Sequence, residues 1–342
     1  MSTIKLKPLN DQVIVITGAS SGIGLATARA AAKKGARLVV ASRNEEAIQE
    51  LSKELNQTTA AIGVACDVSK IEDVERLAAA AGAKFGGFDT WVNNAGVSTY
   101  GRLEEVELED MRRLFETNYW GVVHGSLTAI KHLKGKQDGF GGALINLGST
   151  LSDRAIPLQG TYCATKFAVR AFTDALRMEA EKENYPVSIT LIKPAAIDTP
   201  YVAHAKNYLP EEPKNPAPVY APEVVANAIL HCAETPERDM FAGGAATQFS
   251  LLEKIVPWYT DKGMEKVMFG QQQSGKPPKP RDHAGEAGLF EPAEPKLQER
   301  GSYEGKVFES SPYTAFRANR RVLSLAALGA GAIAFLALKK RR

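Results

Sequence analysis

The chain has 342 residues, of which 44% are hydrophobic and 24% charged, and its formal net charge is +3. That balance suits a globular protein with a sizeable core, and no basic stripe with interleaved aromatics offers itself to nucleic acid. Cys66, Cys163 and Cys232 are odd in number and widely spaced, which excludes a disulfide framework, suits no metal site and indicates a reducing compartment. The opening MSTIKLKPLN lacks the apolar stretch of a secretory signal, so the body of the protein is expected in the cytoplasm.

In chain order, short apolar runs alternate with longer helical patterns from about residue 11 to 200. The runs are QVIVIT (12–17), ARLVVA (36–41), AIGVAC (61–66), DTWVNN (89–94), GALINLG (142–148) and VSITLI (187–192). Several are apolar on consecutive residues, as parallel strands covered on both faces should be. The first helical pattern, IGLATARAAAKKG, ends on two lysines and Gly35, a good stop. Strand alternating with helix predicts βαβ units, hence an α/β fold with a doubly wound parallel sheet and helices on both faces.

After Pro200 the texture changes. Six prolines and Tyr201, Tyr208 and Tyr220 crowd residues 200–222; this predicts a loop or a short broken helix covering one end of the sheet, a length that in compact domains usually has a function. PEVVANAILHCAE (222–234) reads as a helix opened by proline, and RDMFAGG (238–244) as a last strand. Pro, Gly, Gln and charge dominate 271–300, which reads as a poorly ordered connector. The resulting division is a catalytic domain over 1–262, a polar linker over 263–321, an apolar helix over 322–338 and a basic tail over 339–342. The apolar run VLSLAALGAGAIAFLAL would span roughly 26 Å as a helix, against a hydrocarbon core of about 30 Å. With no evident partner in water, it is expected to be a single-pass C-terminal membrane anchor holding the catalytic domain on the cytoplasmic side. Burial against the domain or in an oligomer, or a surface-lying tail, are the alternatives, and without the anchor the protein is cytoplasmic. Basic residues flank the run on both sides, so charge does not orient it.

The chemistry-bearing patterns sit at the ends of the predicted strands. TGASSGIG (17–24) joins the first strand to the first helix. Gly18, Gly22 and Gly24 permit a tight turn and close backbone approach, and the following helix offers free N–H groups to a phosphate. The TYCATK stretch (161–166) puts Tyr162 and Lys166 four residues apart, on one helical face. Ser149 closes the fifth strand, thirteen residues before Tyr162, at the carboxyl edge where ligands bind in such sheets. A free tyrosine holds its proton too tightly at neutral pH, and a neighbouring ammonium should favour the phenolate.

TGASSGIG, NNAG (93–96), Asn118, Ser149 and YCATK together resemble the short-chain dehydrogenase/reductase family, in its single-domain branch, over about residues 10–245. The resemblance implies a Rossmann-type domain, a nicotinamide cofactor, an alcohol or carbonyl substrate, and compatibility with a homo-oligomer. It assigns Tyr162 as general acid/base, Ser149 as holder of the substrate oxygen, and Lys166 as tuner of Tyr162 and ligand of the nicotinamide ribose. Asn118 would bind a water linking Lys166 to solvent. The cofactor would contact Gly18, Ser20, Ser21, Gly22, Ile23 and Gly24 in the turn. Asn93, Asn94, Ala95 and Gly96 would wall the adenine ribose and support the sheet, and Pro194, Ile197 and Thr199 would meet the carboxamide. Ala195 departs from the glycine common there. Asp67 and Val68 would meet adenine, although Asp67 could instead cap the next helix. Where NAD-binding domains carry an acidic residue at the end of the second strand, this chain has Ala41, Ser42 and Arg43. Arg43 can pair with a 2′-phosphate, so NADP is expected over NAD unless Arg43 is a solvated surface residue. Membrane proximity would suit an apolar substrate. The competing function is a non-catalytic nucleotide-binding scaffold or redox sensor.

Overall fold

The computed structural model describes residues 4–244, 257–278, 288–292 and 297–318. Seven strands make the main sheet: β1 (Val13–Thr17), β2 (Arg37–Ser42), β3 (Ala61–Ala65), β4 (Thr90–Asn93), β5 (Gly142–Leu147), β6 (Val187–Pro194) and β7 (Asp239–Ala242). Their order is β3-β2-β1-β4-β5-β6-β7, and every pairing is parallel. Each predicted strand is present to within two residues. The order reverses between β1 and β4, which opens a crevice at the carboxyl ends of those two strands.

Both faces are covered because the strands are apolar on both. Along β1, Ile14 and Ile16 pack into one core while Val13 and Val15 pack into the other. The first core is closed by α1 (Gly22–Lys33) and α7 (Pro222–Glu234), through Leu25, Ala28, Ile229 and Cys232. The second is closed by α3 (Ile71–Phe85), α5 (Gly121–Leu133) and α6 (Gly160–Lys182), through Leu77, Leu133 and Leu176. The alanines of α1 let it lie close to both β1 and α7. Helix α2 (Glu45–Leu55) flanks β3, and α4 (Leu108–Phe115) runs into a π-helical turn, Glu116–Trp120, before α5.

The proline-rich segment after Pro200 is tied to the carboxyl end of the sheet by short parallel pairings. Lys206–Asn207 pairs with Thr99–Tyr100, and Val219–Tyr220 lies between Ala196–Ile197 and Val307–Phe308. Helix α8 (Pro257–Gln271) runs through the boundary expected at 262, and α9 (Pro312–Ala318) packs near β7, with the Thr314 hydroxyl accepting from the Gly243 N–H at 3.1 Å. The described parts of 263–321 are therefore not a free connector. Pro and Gly density reports poor regular structure, but carbonyl and N–H groups in irregular chain still bond to a domain when it offers partners. The apolar run 322–338 lies outside the described residues. Among the described residues, no helix is long and apolar enough to cross a membrane.

Candidate active site

β1 ends at Thr17, and Gly18 turns the chain with a φ of +66°, a conformation that favours glycine. A Cβ on Gly18 would stand 2.7 Å from Ala95 Cα, and one on Gly24 would stand 2.2 Å from the Gly18 oxygen. The glycines are required because two strand-to-helix turns touch here. Asn94 locks them together: its Nδ2 donates to the Thr17 and Gly18 oxygens at 2.9 and 3.1 Å, and its N–H donates to Thr17 Oγ1. The result is a groove of about 200 Å³. Gly18, Ser20, Ser21, Gly22 and Ile23 form its floor, Asn94, Ala95 and Gly96 one wall, and Arg43, Asp67 and Val68 its far end. Gly24 lies behind the floor, against Gly18.

Asn93 is elsewhere. It is 3% exposed and sits inside the sheet, accepting from Trp91 Nε1 at 2.8 Å and donating to Asn146 Oδ1 at 2.8 Å. Asn146 in turn donates to Thr173 Oγ1 at 3.0 Å. Buried amides must be satisfied, and this chain of side chains ties β4 and β5 to α6. Of the two roles expected of Asn93, the geometry fits only support of the sheet. Asp67 is held by the Ser69 N–H and hydroxyl and by Arg113 Nη2 at 3.0 Å. The N-cap of α3 is Lys70, so Asp67 makes a local turn ahead of that helix and lines the groove.

At the other end, Ser149, Tyr162 and Lys166 converge as the spacing predicts. Ser149 follows β5, and its hydroxyl accepts from the Leu151 N–H at 3.0 Å, opening a turn of 3₁₀ helix, Thr150–Ser152. Tyr162 lies in the first turn of α6, its ring edge-on to that of Tyr201 with centroids 5.6 Å apart, and Ser149 lines the same cavity. Lys166, one turn on and 5% exposed, donates to the Leu147 oxygen at 2.9 Å and stands 5.6 Å from the centre of the Tyr162 ring. Asn118 is fully buried in the π-helical turn. Its Oδ1 accepts from the Val97 N–H at 2.8 Å, and its Nδ2 donates to the Val97 oxygen at 2.9 Å and to Thr165 Oγ1 at 3.2 Å. The wide turn aims the amide across at the strand end.

The expected lowering of the Tyr162 pKa by Lys166 is not what this arrangement produces. Burial pushes the Tyr162 phenol up to about 12, against the opposing pull of the Tyr201 and Ser149 hydroxyls. Burial also brings the Lys166 ammonium down to about 8. Desolvation dominates both groups, and the ammonium donates to the Leu147 carbonyl rather than to the phenol.

A second cavity of about 220 Å³ meets the groove at this end, and Ile23, Asn94, Gly96, Thr199 and Tyr201 belong to the walls of both. Ser149, Tyr162, Lys166, Pro194 and Ile197 line it. The rest of its wall is largely apolar, with Tyr100, Leu151, Ile156, Met264 and Met268 prominent, and Thr150, Arg154, Gln159 and Asn215 as polar exceptions. Met264 and Met268 come from α8, within the segment expected to be a polar linker. Tyr201 was visible only as one tyrosine in a proline-rich loop, and nothing in its spacing marked it as a neighbour of Tyr162. Among the described residues, no cluster of three or more His, Cys, Asp or Glu could hold a metal ion.

Residues 12–208 match the short chain dehydrogenase family. YxnA of Bacillus subtilis, an uncharacterized oxidoreductase, is 49% identical over 341 residues, 99% of this chain and 94% of YxnA. Among solved structures, an alcohol dehydrogenase from Thermococcus sibiricus complexed with 5-hydroxy-NADP is 30% identical, with a TM-score of 0.57 over 67% of this chain and 95% of that one. A 3-ketoacyl-(acyl-carrier-protein) reductase from Brucella melitensis complexed with NADH is 28% identical, with a TM-score of 0.60 over 70% and 99% respectively.

Proposed function

The chain belongs to the short-chain dehydrogenase family, an oxidoreductase family with a nicotinamide site, and from that membership we propose that it reduces an apolar carbonyl compound, or oxidises the matching alcohol, with NADP(H) as its preferred cofactor. The observation that carries the reading is the junction of two cavities at Tyr162. One cavity is floored by helix-terminal N–H groups and glycines, the other walled by apolar side chains.

The groove residues fit a dinucleotide. Ser20 to Ile23 and the N-terminus of α1 would hold the pyrophosphate, Asp67 and Val68 the adenine, and Arg43 a 2′-phosphate. Lys166 and Asn94 would hold the nicotinamide ribose, with Pro194, Ile197 and Thr199 against the carboxamide. When bound, the nicotinamide supplies or accepts the hydride. Ser149 and Tyr162 would converge on the substrate oxygen. With its pKa near 12, Tyr162 is protonated at neutral pH, the state needed to donate a proton to an oxygen that is gaining charge. Lys166, at the back of Tyr162, would return the proton, and Asn118 fixes the backbone beside it.

Thermococcus sibiricus alcohol dehydrogenase is complexed with an NADP derivative and the Brucella melitensis reductase with NADH, so the preference for NADP rests on Arg43. The preference for an apolar substrate rests on Leu151, Ile156, Met264 and Met268 around Tyr162. A screen of NADPH oxidation with aldehydes and ketones of graded chain length tests both. Turnover should rise with chain length; tight NADPH binding without carbonyl-dependent oxidation of any substrate would favour the scaffold instead. The anchor reading of 322–338 is tested separately: the full chain should sediment with membranes, and a chain lacking 322–342 should not.

A further inference from the structure

The donors that would grip a dinucleotide's phosphates are already hydrogen-bonded to carbonyl groups of the chain's own C-terminal part. The Gly22 N–H, at the start of α1, donates to the Gln298 oxygen at 2.9 Å, and Ser21 and Gln298 form a parallel bridge. Arg43 donates from Nη1 to the Leu289 and Phe290 oxygens at 3.1 Å each, and from Nη2 to that of Gly288. Arg113, which holds Asp67, also donates to the Leu289 oxygen at 3.1 Å. Leu289 is fully buried against Val97 and Leu114, and Glu299 pairs with Arg29 at 2.7 Å. Gly288 and Pro292 stand in the wall of the groove.

We propose that residues 288–290 mask the 2′-phosphate site, so that NADP(H) must displace this turn from Arg43 whereas NAD(H) need not. This rests on the NADP(H) reading above. A guanidinium has five N–H donors in a fixed fork, and the three carbonyls take the edge that a bidentate phosphate would use. The carbonyls are neutral and a phosphate is charged, so the phosphate makes the stronger hydrogen bonds. Displacement still forfeits the three bonds and the burial of Leu289. The turn therefore lowers affinity for the phosphorylated cofactor selectively, and by linkage that cofactor must loosen the turn.

Two full-length variants test this. Leu289→Ala removes the buried anchor. Gly288→Ala leaves the anchor but puts a Cβ 2.3 Å from the His204 oxygen at a φ of +87°, which forces the turn outward. Binding of NADPH and NADH is measured by fluorescence titration without substrate. Both variants should bind NADPH more tightly, by about fivefold or more, with NADH little changed. In the unaltered protein, hydrogen exchange over 288–290 should speed up on adding NADPH and stay the same with NADH. Slower exchange with NADPH, or weaker NADPH binding in the variants, would mean the turn clamps the cofactor and would overturn the proposal. Equal gains for both cofactors would also overturn it. If neither cofactor binds the unaltered protein, the functional reading falls and this inference with it; if both bind without these differences, only the inference falls.

Discussion

The dinucleotide groove and the apolar cavity meet at Tyr162, yet the chain builds them in opposite ways. The groove comes from consecutive strand-to-helix turns: residues 17–24, 42–44, 66–68 and 94–97 each leave the carboxyl edge of the sheet and enter its wall. The apolar cavity gathers distant pieces, from Tyr100 and Ile156 through Tyr201 and Pro218 to Met264 and Met268. One site is a property of the sheet, repeated at each crossover. The other depends on loops and on a helix that packs only once the sheet exists. Binding of the common cofactor is thereby insulated from changes in the substrate wall, and changes at the three places where the cavities can be separated should have different signatures.

The largest effect is expected at the junction. Tyr162→Phe removes the proton donor but leaves both walls, so turnover should fall by about 10²–10⁴-fold while NADPH affinity, read by fluorescence titration, stays within about twofold. Retained turnover would take Tyr162 out of the reaction. Next comes the far end of the groove. Arg43→Ala should weaken NADPH by about 10–100-fold, the worth of one or two charge-assisted hydrogen bonds, and leave the preference for substrate chain length untouched. Equal loss for NADPH and NADH would mean that Arg43 does not read the 2′-phosphate. In the apolar wall, Met268→Ala should raise KM about tenfold for long-chain carbonyls and far less for short ones, with cofactor affinity unchanged. A parallel loss of NADPH binding would mean the two cavities are not independent.

The smallest effect is on stability. Burial brings the Lys166 ammonium from 10.5 to about 8, so the folded protein holds that proton less tightly than the unfolded chain. Below about pH 8 both states are charged and the fold bears the full desolvation cost. Between about 8 and 10.5 the unfolded chain binds more protons, so this group's contribution to stability rises with pH. Lys166→Met should therefore raise Tm at pH 7 by a few degrees, on the order expected for about 1 kcal/mol in a chain of this size, and the gain should shrink by pH 9.5. The same variant should lose turnover, a trade between stability and function. A Tm gain that is equal at both pH values would place the benefit in packing rather than charge.

How far the sequence could be read varied residue by residue. Gly18 and Gly24 announced a close approach, and Ala95 and the Gly18 oxygen are the atoms they approach. Ser149, Tyr162 and Lys166 could be brought together from strand end and helical spacing alone. Asn93 and Asn94, adjacent in sequence, share the same pair of expected roles; the alternation of a strand divides them, turning one into the sheet and the other out to the groove. Tyr201 and Met268 carried no such marker. A tyrosine among prolines and a methionine in a helix look alike whether they face solvent, core or substrate.

The parallel sheet, its crossovers and the line of groups along its carboxyl edge follow from the order of residues alone, because strand and helix periodicities and glycine turns are local properties that act over a few residues. Folding in three dimensions settled the direction of the shifts at Tyr162 and Lys166, the makers of the apolar wall and the partners of Arg43. Those depend on what is excluded from water and on which distant segments arrive there. Desolvation sets the first, and the described parts of 257–278, 288–292 and 297–299, which reach the two cavities, set the others, with backbone carbonyls that every sequence carries and none advertises.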